Sequence, residues 1–214
     1  MVQLTNSTIL NAFQHTNAVY DRELVLRGYN FVLIENLGAT LDQFDSIDFS
    51  DNDIRSLDGF PLLYRLKSLY FSNNRIIRVV KGIEESLPNL TDLILTNNLI
   101  DTFTDVDQLA NLKKLRTLSL IRNPINNHRY YRKYVIYKLR HLKILDFQKI
   151  SAAERKEADG LFNENGGSLA KSEKDKYYMK TTIESQQLLD NAISNTKSIQ
   201  EIDQLNAKLS AGTY

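Results

Sequence analysis

The sequence contains no cysteine and no apolar run that approaches the length of a membrane span. The lack of cysteine excludes disulfide bonds and thiol chemistry, and it favours a reducing compartment, the cytosol or the nucleus. Residues 1–17 lack a basic start, an unbroken apolar stretch and a small-residue cleavage site, so we do not expect a secretory signal. With 42% hydrophobic residues, the chain of 214 residues still has enough apolar material for a folded core, which excludes wholesale disorder.

Motifs that carry catalysis are also absent. The sequence has neither a glycine-rich phosphate loop nor an H-E-x-x-H zinc motif. A group of aspartates does not follow the calcium-loop spacing and is more simply a solvated acidic patch: Asp45, Asp48, Asp51 and Asp53. The few histidines lie far from any obvious nucleophile: His15, His128 and His141. We therefore expect a protein that is not an enzyme and that binds no cofactor, metal or small-molecule substrate.

Charge is distributed unevenly along the chain, although the net charge is only +1. Residues 1–110 carry 8 Lys and Arg against 15 Asp and Glu, whereas residues 111–150 carry 11 against 1. Residues 151–214 carry 8 against 10. This segregation predicts an acidic surface at one end of the protein and a basic surface at the other.

A leucine-rich repeat of the form L-x-x-L-x-L-x-x-N-x-L organises most of the chain. Four clear copies read FDSIDFSDNDI, LKSLYFSNNRI, LTDLILTNNLI and LRTLSLIRNPI, with intervals of 22, 24 and 25 residues between their asparagines Asn52, Asn74, Asn98 and Asn123. A degenerate copy precedes them, with Tyr29 in place of the asparagine, and a final copy follows with Leu142, Leu145, Phe147 and Ile150. Chance does not produce this regularity, so we predict a leucine-rich solenoid.

The repeat dictates an α/β architecture. A period of two within x-x-L-x-L places the leucines in the core and the intervening residues on a parallel sheet that forms the concave face. Each asparagine turns the chain away and is expected to satisfy backbone groups that the turn would leave unpaired. Between the strands, apolar residues at helical spacing should line the convex side.

Both ends of a solenoid need caps. At the front, Ile9, Leu10 and Phe13 have helical spacing and predict a helical cap. At the back, residues 131–137 predict a helix rich in tyrosine, and Ser151-x-x-Glu154 is a capping box that opens a closing helix. We expect the capped solenoid to span residues 1–162.

The remaining chain changes in character. Residues 163–180 are polar and charge-rich, which predicts a linker. Residues 181–214 contain two further capping boxes and predict a pair of short helices. Two such helices cannot bury a core of their own, so they either dock onto a partner or form a loose exposed hairpin.

An apolar patch is expected on the concave face. The residues between the inward positions place Tyr70, Ile94 and Ile121 at mid-solenoid, beside Asp45, Asp48 and Asp92. Exposed apolar residues beside carboxylates suit a partner helix with apolar and basic side chains. The alternative is that Tyr and Ile are present only because they form strands well.

The basic segment predicts a second surface. Concentrated positive charge is typical of contacts to a phosphate backbone, and the residues expected to make them are Arg122, Arg129, Arg132 and Lys149. The tyrosines among them are expected to pack in the cap rather than to stack on bases. The alternative is a merely solvated basic face.

Several stretches of the chain together resemble one known family. ENLGATLDQFDSIDFSDN is the most specific, and NAVYDRELVLRGY, YYRKYVIYKLRHLKILDFQK and GGSLAK agree with it. They resemble the U2 small nuclear ribonucleoprotein polypeptide A-prime family over about residues 1–175.

The resemblance implies a non-catalytic scaffold in the nucleus. Such a scaffold pairs through its concave face with the RNA-recognition-motif protein B-double-prime, and the pair binds a stem-loop of U2 small nuclear RNA during pre-mRNA splicing. Residues 181–214 could then meet other splicing factors. A leucine-rich regulatory or targeting subunit of an enzyme or motor, without RNA, is the alternative.

Overall fold

The computed structural model describes residues 3–162, and its main feature is a sheet of eight strands, all but the outermost two of which run parallel. The strands of this sheet, in spatial order, are β1 (Phe13–Thr16), β2 (Arg22–Val25), β3 (Ser46–Asp48), β5 (Ser68–Tyr70), β7 (Asp92–Ile94), β8 (Thr117–Ser119), β9 (Ile144–Leu145) and β10 (Gln148–Lys149). A second sheet pairs β4 (Ser56–Leu57) with β6 (Arg78–Val79) in parallel. The predicted parallel solenoid sheet is confirmed.

The leucine positions of the repeat form one continuous row inside the solenoid. Ile47 pairs with Leu69, Leu69 with Leu93, and Leu93 with Leu118, and each side chain is at most 1% exposed. Full burial of such a side chain stabilises the fold by about 1.5–3 kcal/mol. A repeat cannot bury these residues alone, so stacking of neighbouring repeats holds the fold together.

A ladder of buried asparagines supports the turn after each strand. The Asn98 amide donates to the carbonyl oxygens of Phe71 at 2.8 Å and of Leu95 at 3.1 Å, and its oxygen accepts the Ile76 N–H at 3.0 Å. The same pattern recurs in the neighbouring repeats at Asn52, Asn74 and Asn123. The predicted role of these asparagines is confirmed.

Short helices follow the strands on the convex side. The clearest are α2 (Ile83–Ser86) and α3 (Phe103–Leu109). Phe103, Val106 and Leu109 are buried at helical spacing, as predicted. The Thr102 side chain caps α3 by accepting the Asp105 N–H, which satisfies one otherwise unpaired donor of the first turn.

The N-terminal cap differs from the prediction. Helix α1 (Asn6–Asn11) begins after the Thr5 cap and buries Ile9, but Leu10 is 68% exposed. Phe13 does not belong to the helix, because Ala12 is extended and Phe13 begins β1, which pairs antiparallel with β2. The cap is therefore a single helical turn and a half followed by a β-hairpin.

The C-terminal cap consists of α4 (Tyr131–Lys138) and α5 (Ala152–Phe162). The predicted capping box is present: Ser151 N–H donates to Glu154 at 2.8 Å, and the Ser151 hydroxyl accepts the Glu154 N–H at 3.2 Å. Phe162 closes the end of the core against the rings of Tyr134 and Tyr137. The predicted C-terminal cap therefore closes this end of the solenoid.

One residue of the last repeat departs from the expected inward position. Phe147 is 64% exposed, because Asp146 and Phe147 both adopt left-handed backbone angles in the tight turn that joins β9 to β10. Leu142, Leu145 and Ile150 are buried as predicted. The predicted linker 163–180 and helices 181–214 lie outside the described residues. Within residues 3–162 no helix is both long and apolar enough to span a membrane.

Candidate partner-binding and RNA-binding surfaces

Two outward-facing rows of side chains form the concave surface, because residues paired across strands share a face of the sheet. The Tyr70 row runs through Phe13, Val25, Asp48, Tyr70, Ile94 and Ser119. The Ser68 row runs through His15, Glu23, Ser46, Ser68, Asp92, Thr117 and Ile144. A partner can reach the members of these rows that remain exposed, such as Phe13, Tyr70 and Ile94.

The structure brings together two of the three predicted apolar residues. Tyr70 and Ile94 are direct partners on adjacent strands, and both are partly exposed. Ile121 follows β8 and lies at the level of Thr96, because Asn97 N–H donates to the Ile121 carbonyl. Ile121 therefore continues the exposed surface one strand further on without joining the Tyr70–Ile94 pair.

The apolar surface also extends to residues that sequence reasoning missed. Phe13 is 66% exposed, pairs with Val25, and stacks on His15 with ring centroids 5.1 Å apart. Its side chain therefore faces the concave side at the N-terminal edge of the sheet. The alternation of Phe13 and His15 ahead of a turn at Asn17 was the available signal, but helical spacing with Ile9 obscured it.

Asp45 is the first of the predicted acidic residues, and the structure commits it to the fold. It is 5% exposed and accepts hydrogen bonds from the Arg65 side chain at 2.9 Å and from the Arg22 N–H at 3.0 Å, with Lys67 at 3.1 Å. Burial favours the neutral acid and so raises the pKa of Asp45, but the hydrogen bonds and the charge of Lys67 outweigh burial and lower the pKa to about 2. Asp45 therefore stabilises the fold, and its contact with a partner stays a prediction.

Asp48 and Asp92 differ in whether a cation neutralises them. Asp48 is 7% exposed and pairs with Arg27 at 3.0 Å, which raises the pKa of the guanidinium. Asp92 is partly exposed and accepts only the Thr91 hydroxyl, at 2.6 Å, with no ion pair among residues 3–162. Only Asp92 among these acids offers an uncompensated charge on the concave face.

In the folded protein, acids from other parts of the chain offset some of the positive charge that residues 111–150 carry in the sequence. Four of its cations pair with acids from outside the segment: Arg132 with Glu154, Lys133 with Glu157, Lys138 with Asp107, and Arg140 with Asp159. Three of those acids lie on α5. Counting charge by segment missed this, because α5 follows the segment in sequence but packs directly against α4.

Arg132 is the most engaged of the four cations predicted to contact RNA. Its side chain donates to Glu154 at 2.7 Å and to the Leu145 carbonyl at 3.1 Å, and it is 27% exposed. Arg132 and the Ser151 N–H together lower the pKa of Glu154 to about 2. Arg132 thus connects α4 to α5, and its contact with RNA stays a prediction.

The other three predicted cations remain exposed at the C-terminal end of the solenoid. Arg122 follows β8 with a left-handed backbone angle of 58°, Arg129 lies over the Tyr130 ring just before α4, and Lys149 belongs to the edge strand β10. A left-handed arginine is unfavourable, and the equivalent residues of the preceding repeats are Asn73 and Asn97. Arg122 therefore replaces a better turn former with a projecting charge.

The tyrosines of the basic segment pack inside the cap, as predicted. Tyr131 is buried and donates to Asp146 at 2.9 Å, and burial raises the pKa of its hydroxyl. Tyr134 contacts Phe103 with ring centroids 4.4 Å apart. These rings do not form an exposed platform for bases. Within residues 3–162 there is also no cluster of three side chains suited to hold a metal ion.

Comparisons with known proteins agree with this architecture. A leucine-rich repeat family profile matches residues 1–173. The human U2 small nuclear ribonucleoprotein A′ is 48% identical over 99% of this chain and 89% of its own length, and the probable Caenorhabditis elegans protein of that name is 38% identical over 99% and 91%.

A solved structure shows the same fold. The crystal structure of the Drosophila melanogaster SNF/U2A′ complex contains a chain that superposes with a TM-score of 0.76 at 47% identity, covering 82% of this chain and 97% of that chain. This chain therefore belongs to the U2 small nuclear ribonucleoprotein A′ family of leucine-rich repeat proteins.

Proposed function

We propose that this chain is a non-catalytic scaffold of the U2 small nuclear ribonucleoprotein, and that its concave face pairs with the RNA-recognition-motif protein of that particle. The observation that carries the proposal is the partly exposed Tyr70–Ile94 pair at the middle of the concave sheet. A solvated sheet face has no need of an aromatic and a branched residue side by side, whereas a docking helix does.

The relatives support this assignment of the partner. The chain is 47% identical to a protein solved in complex with SNF, and its family is named for the U2 particle. The proposed contact residues on the concave face are Phe13, Val25, Asp48, Tyr70, Asp92, Ile94 and Ile121. Residues 181–214 are proposed to contact other splicing factors.

The second part of the proposal is that the heterodimer binds the U2 small nuclear RNA stem-loop during pre-mRNA splicing in the nucleus. Arg122, Arg129 and Lys149 project from the C-terminal end and suit phosphate contacts. Sequence-specific reading of RNA needs bases stacked on exposed aromatic rings, and the tyrosines of this end are packed in the cap. The partner therefore reads the loop, and this chain holds the stem.

Introducing a negative charge into the apolar pair of the concave face tests the pairing. Tyr70→Asp and Ile94→Asp should each abolish binding to the SNF-type protein of the same organism in a pull-down, with little change in the thermal unfolding midpoint. Tyr20→Asp is the matched control, because Tyr20 is 89% exposed in the turn before β2. Retained binding by the Tyr70 and Ile94 variants would show that the partner docks elsewhere.

The competing function is a regulatory or targeting subunit of an enzyme or motor without RNA. Sequencing the RNA recovered with the tagged chain from native extract separates the two functions. U2 small nuclear RNA should be strongly enriched over an untagged control. Recovery of an enzyme or motor without that RNA would establish the competing function.

A further inference from the structure

The concave face carries two carboxylates that lack a cationic partner. Five other acids at or near this face pair with Lys or Arg within the fold: Asp21, Asp45, Asp48, Asp51 and Asp53. Glu23 and Asp92 instead accept only neutral donors, the Asn17 amide at 2.9 Å and the Thr91 hydroxyl at 2.6 Å, and neither has an ion pair among residues 3–162. Both are partly exposed, so a docked partner can reach them.

These two carboxylates flank one point of the surface. Both belong to the Ser68 row, with Ser46 and Ser68 between them. Burial raises the pKa of the Tyr70 hydroxyl, the hydroxyls of Ser68 and Ser46 lower it, and the negative charges of Glu23 and Asp92 raise it. In the sheet, Tyr70 on β5 lies between Glu23 on β2 and Asp92 on β7.

A buried hydroxyl lies at the same place. Ser46 is fully buried, neighbours Glu23 in the Ser68 row, and lies close enough to the Tyr70 hydroxyl to lower the pKa of that group. Its Oγ has no other hydrogen-bond partner among the described residues.

We propose that Glu23 and Asp92 are the specificity determinants of the concave face, and that each accepts a Lys or Arg side chain of the docked partner helix on either side of Tyr70. This inference rests on the proposed function, which supplies the helix. It adds the features by which the face would select that helix. An apolar residue of the helix packs on the Tyr70–Ile94 pair, and one Lys or Arg lies before that residue and one after it in the helix sequence.

The sheet geometry also sets the spacing of those cations. Glu23 lies on β2 and Asp92 on β7, with β3 and β5 between them. Three strand spacings of about 4.8 Å place their backbones about 14 Å apart. Along a helix that crosses the strands, residues i and i+7 are about 10.5 Å apart and residues i and i+11 about 16.5 Å, on the same face. The partner helix should therefore carry its basic residues seven or eleven positions apart, with apolar residues between them.

Neutralising the two acids tests the inference in the full chain. Glu23→Gln and Asp92→Asn keep size and shape, so the thermal unfolding midpoint should not fall. Each should weaken pairing with the SNF-type protein of the same organism by about fivefold to tenfold, between the values for exposed and buried charge pairs. The double variant should also lose most of the dependence of pairing on KCl concentration, because salt screens charge pairs and not apolar contacts.

Two further variants make the result decisive. Glu85→Gln removes the same charge from the exposed side of α2, outside the concave rows, and should leave affinity and salt dependence unchanged. Tyr70→Asp tests the docking itself. If the double variant pairs like the wild type with an unchanged salt dependence while Tyr70→Asp abolishes pairing, the charge inference is wrong and the docking stands. If Tyr70→Asp also pairs normally, the proposed function of the face has failed.

Discussion

Replacing the three exposed cations of the C-terminal end should weaken RNA binding by the heterodimer without unfolding the chain. The variant is Arg122→Gln, Arg129→Gln and Lys149→Gln together, which keeps long polar side chains but removes their charge. None of the three is buried, so we expect the unfolding free energy to change by at most about 0.5 kcal/mol for each substitution. Arg122→Gln also leaves a non-glycine residue at the same left-handed angle.

The expected loss of RNA affinity in the triple variant follows from counterion release. Each phosphate contact contributes about 0.7 to 0.9 to the slope of log affinity against log salt concentration. Loss of three contacts should therefore flatten the slope by about 2 to 2.7, and at 0.15 M salt each contact accounts for about a fivefold change in affinity. The loss should be similar for a stem with any loop sequence, because phosphates carry no sequence information. Fluorescence anisotropy with labelled stem-loops at several KCl concentrations measures both quantities.

Arg132→Gln is the matched control from the same basic segment. It breaks the pair with Glu154 and the bond to the Leu145 carbonyl, so it should lower the unfolding free energy by about 1 to 2 kcal/mol. At a temperature where it stays folded, it should leave the salt slope unchanged. If the triple variant keeps its affinity and slope, the basic end is only a solvated face and the RNA role belongs to the partner alone.

Three further predictions concern the fold. Asn98→Leu leaves the Phe71 carbonyl and the Ile76 N–H unpaired and should cost about 2 to 4 kcal/mol in urea unfolding, whereas Asn127→Leu at an exposed site should cost little; equal midpoints would mean that the turn is satisfied otherwise. The pKa of Asp45 is lowered to about 2, so its contribution to stability is present above its unfolded pKa and lost as the pH falls from about 4 to 2. Asp45→Asn should therefore flatten the fall in stability over that interval, and an unchanged pH profile would refute the ion cluster. Deleting residues 181–214 should barely change the stability of the solenoid, and cooperative loss of the whole fold would place those residues in its core.

The fold was predictable because the repeat is a local, periodic signal. The spacing alone identifies the inward residues, and it assigns each asparagine to a turn whose orphan backbone groups need a side-chain donor. Ile47, Leu69 and Asn98 lie where that spacing places them. Each repeat also supports the interpretation of the next. A single degenerate copy, such as the one with Tyr29 in place of asparagine, therefore does not change the predicted fold.

Contacts between distant parts of the chain could not be predicted from the sequence. Asp45 pairs with Arg65, and Arg132 with Glu154, at separations of 20 and 22 residues. No local pattern encodes such contacts, because they depend on which elements pack together. The prediction that Phe13 belongs to the helical cap was wrong for a different reason. Its spacing from Ile9 is that of a helix, but the chain becomes extended at Ala12. Phe147 is exposed because a tight turn overrides its place in the repeat.

The most direct test of the central claim is site-specific photocrosslinking from the concave face. p-Benzoylphenylalanine is placed at Tyr70 in one tagged chain and, as a control, at Glu85 on α2 in another, and both are irradiated in nuclear extract. Mass spectrometry should identify a helix of the RNA-recognition-motif protein of the U2 particle as the adduct at Tyr70, and no such adduct at Glu85. The account is contradicted if the Tyr70 probe captures an unrelated protein, or if the RNA-recognition-motif protein is captured from Glu85 alone.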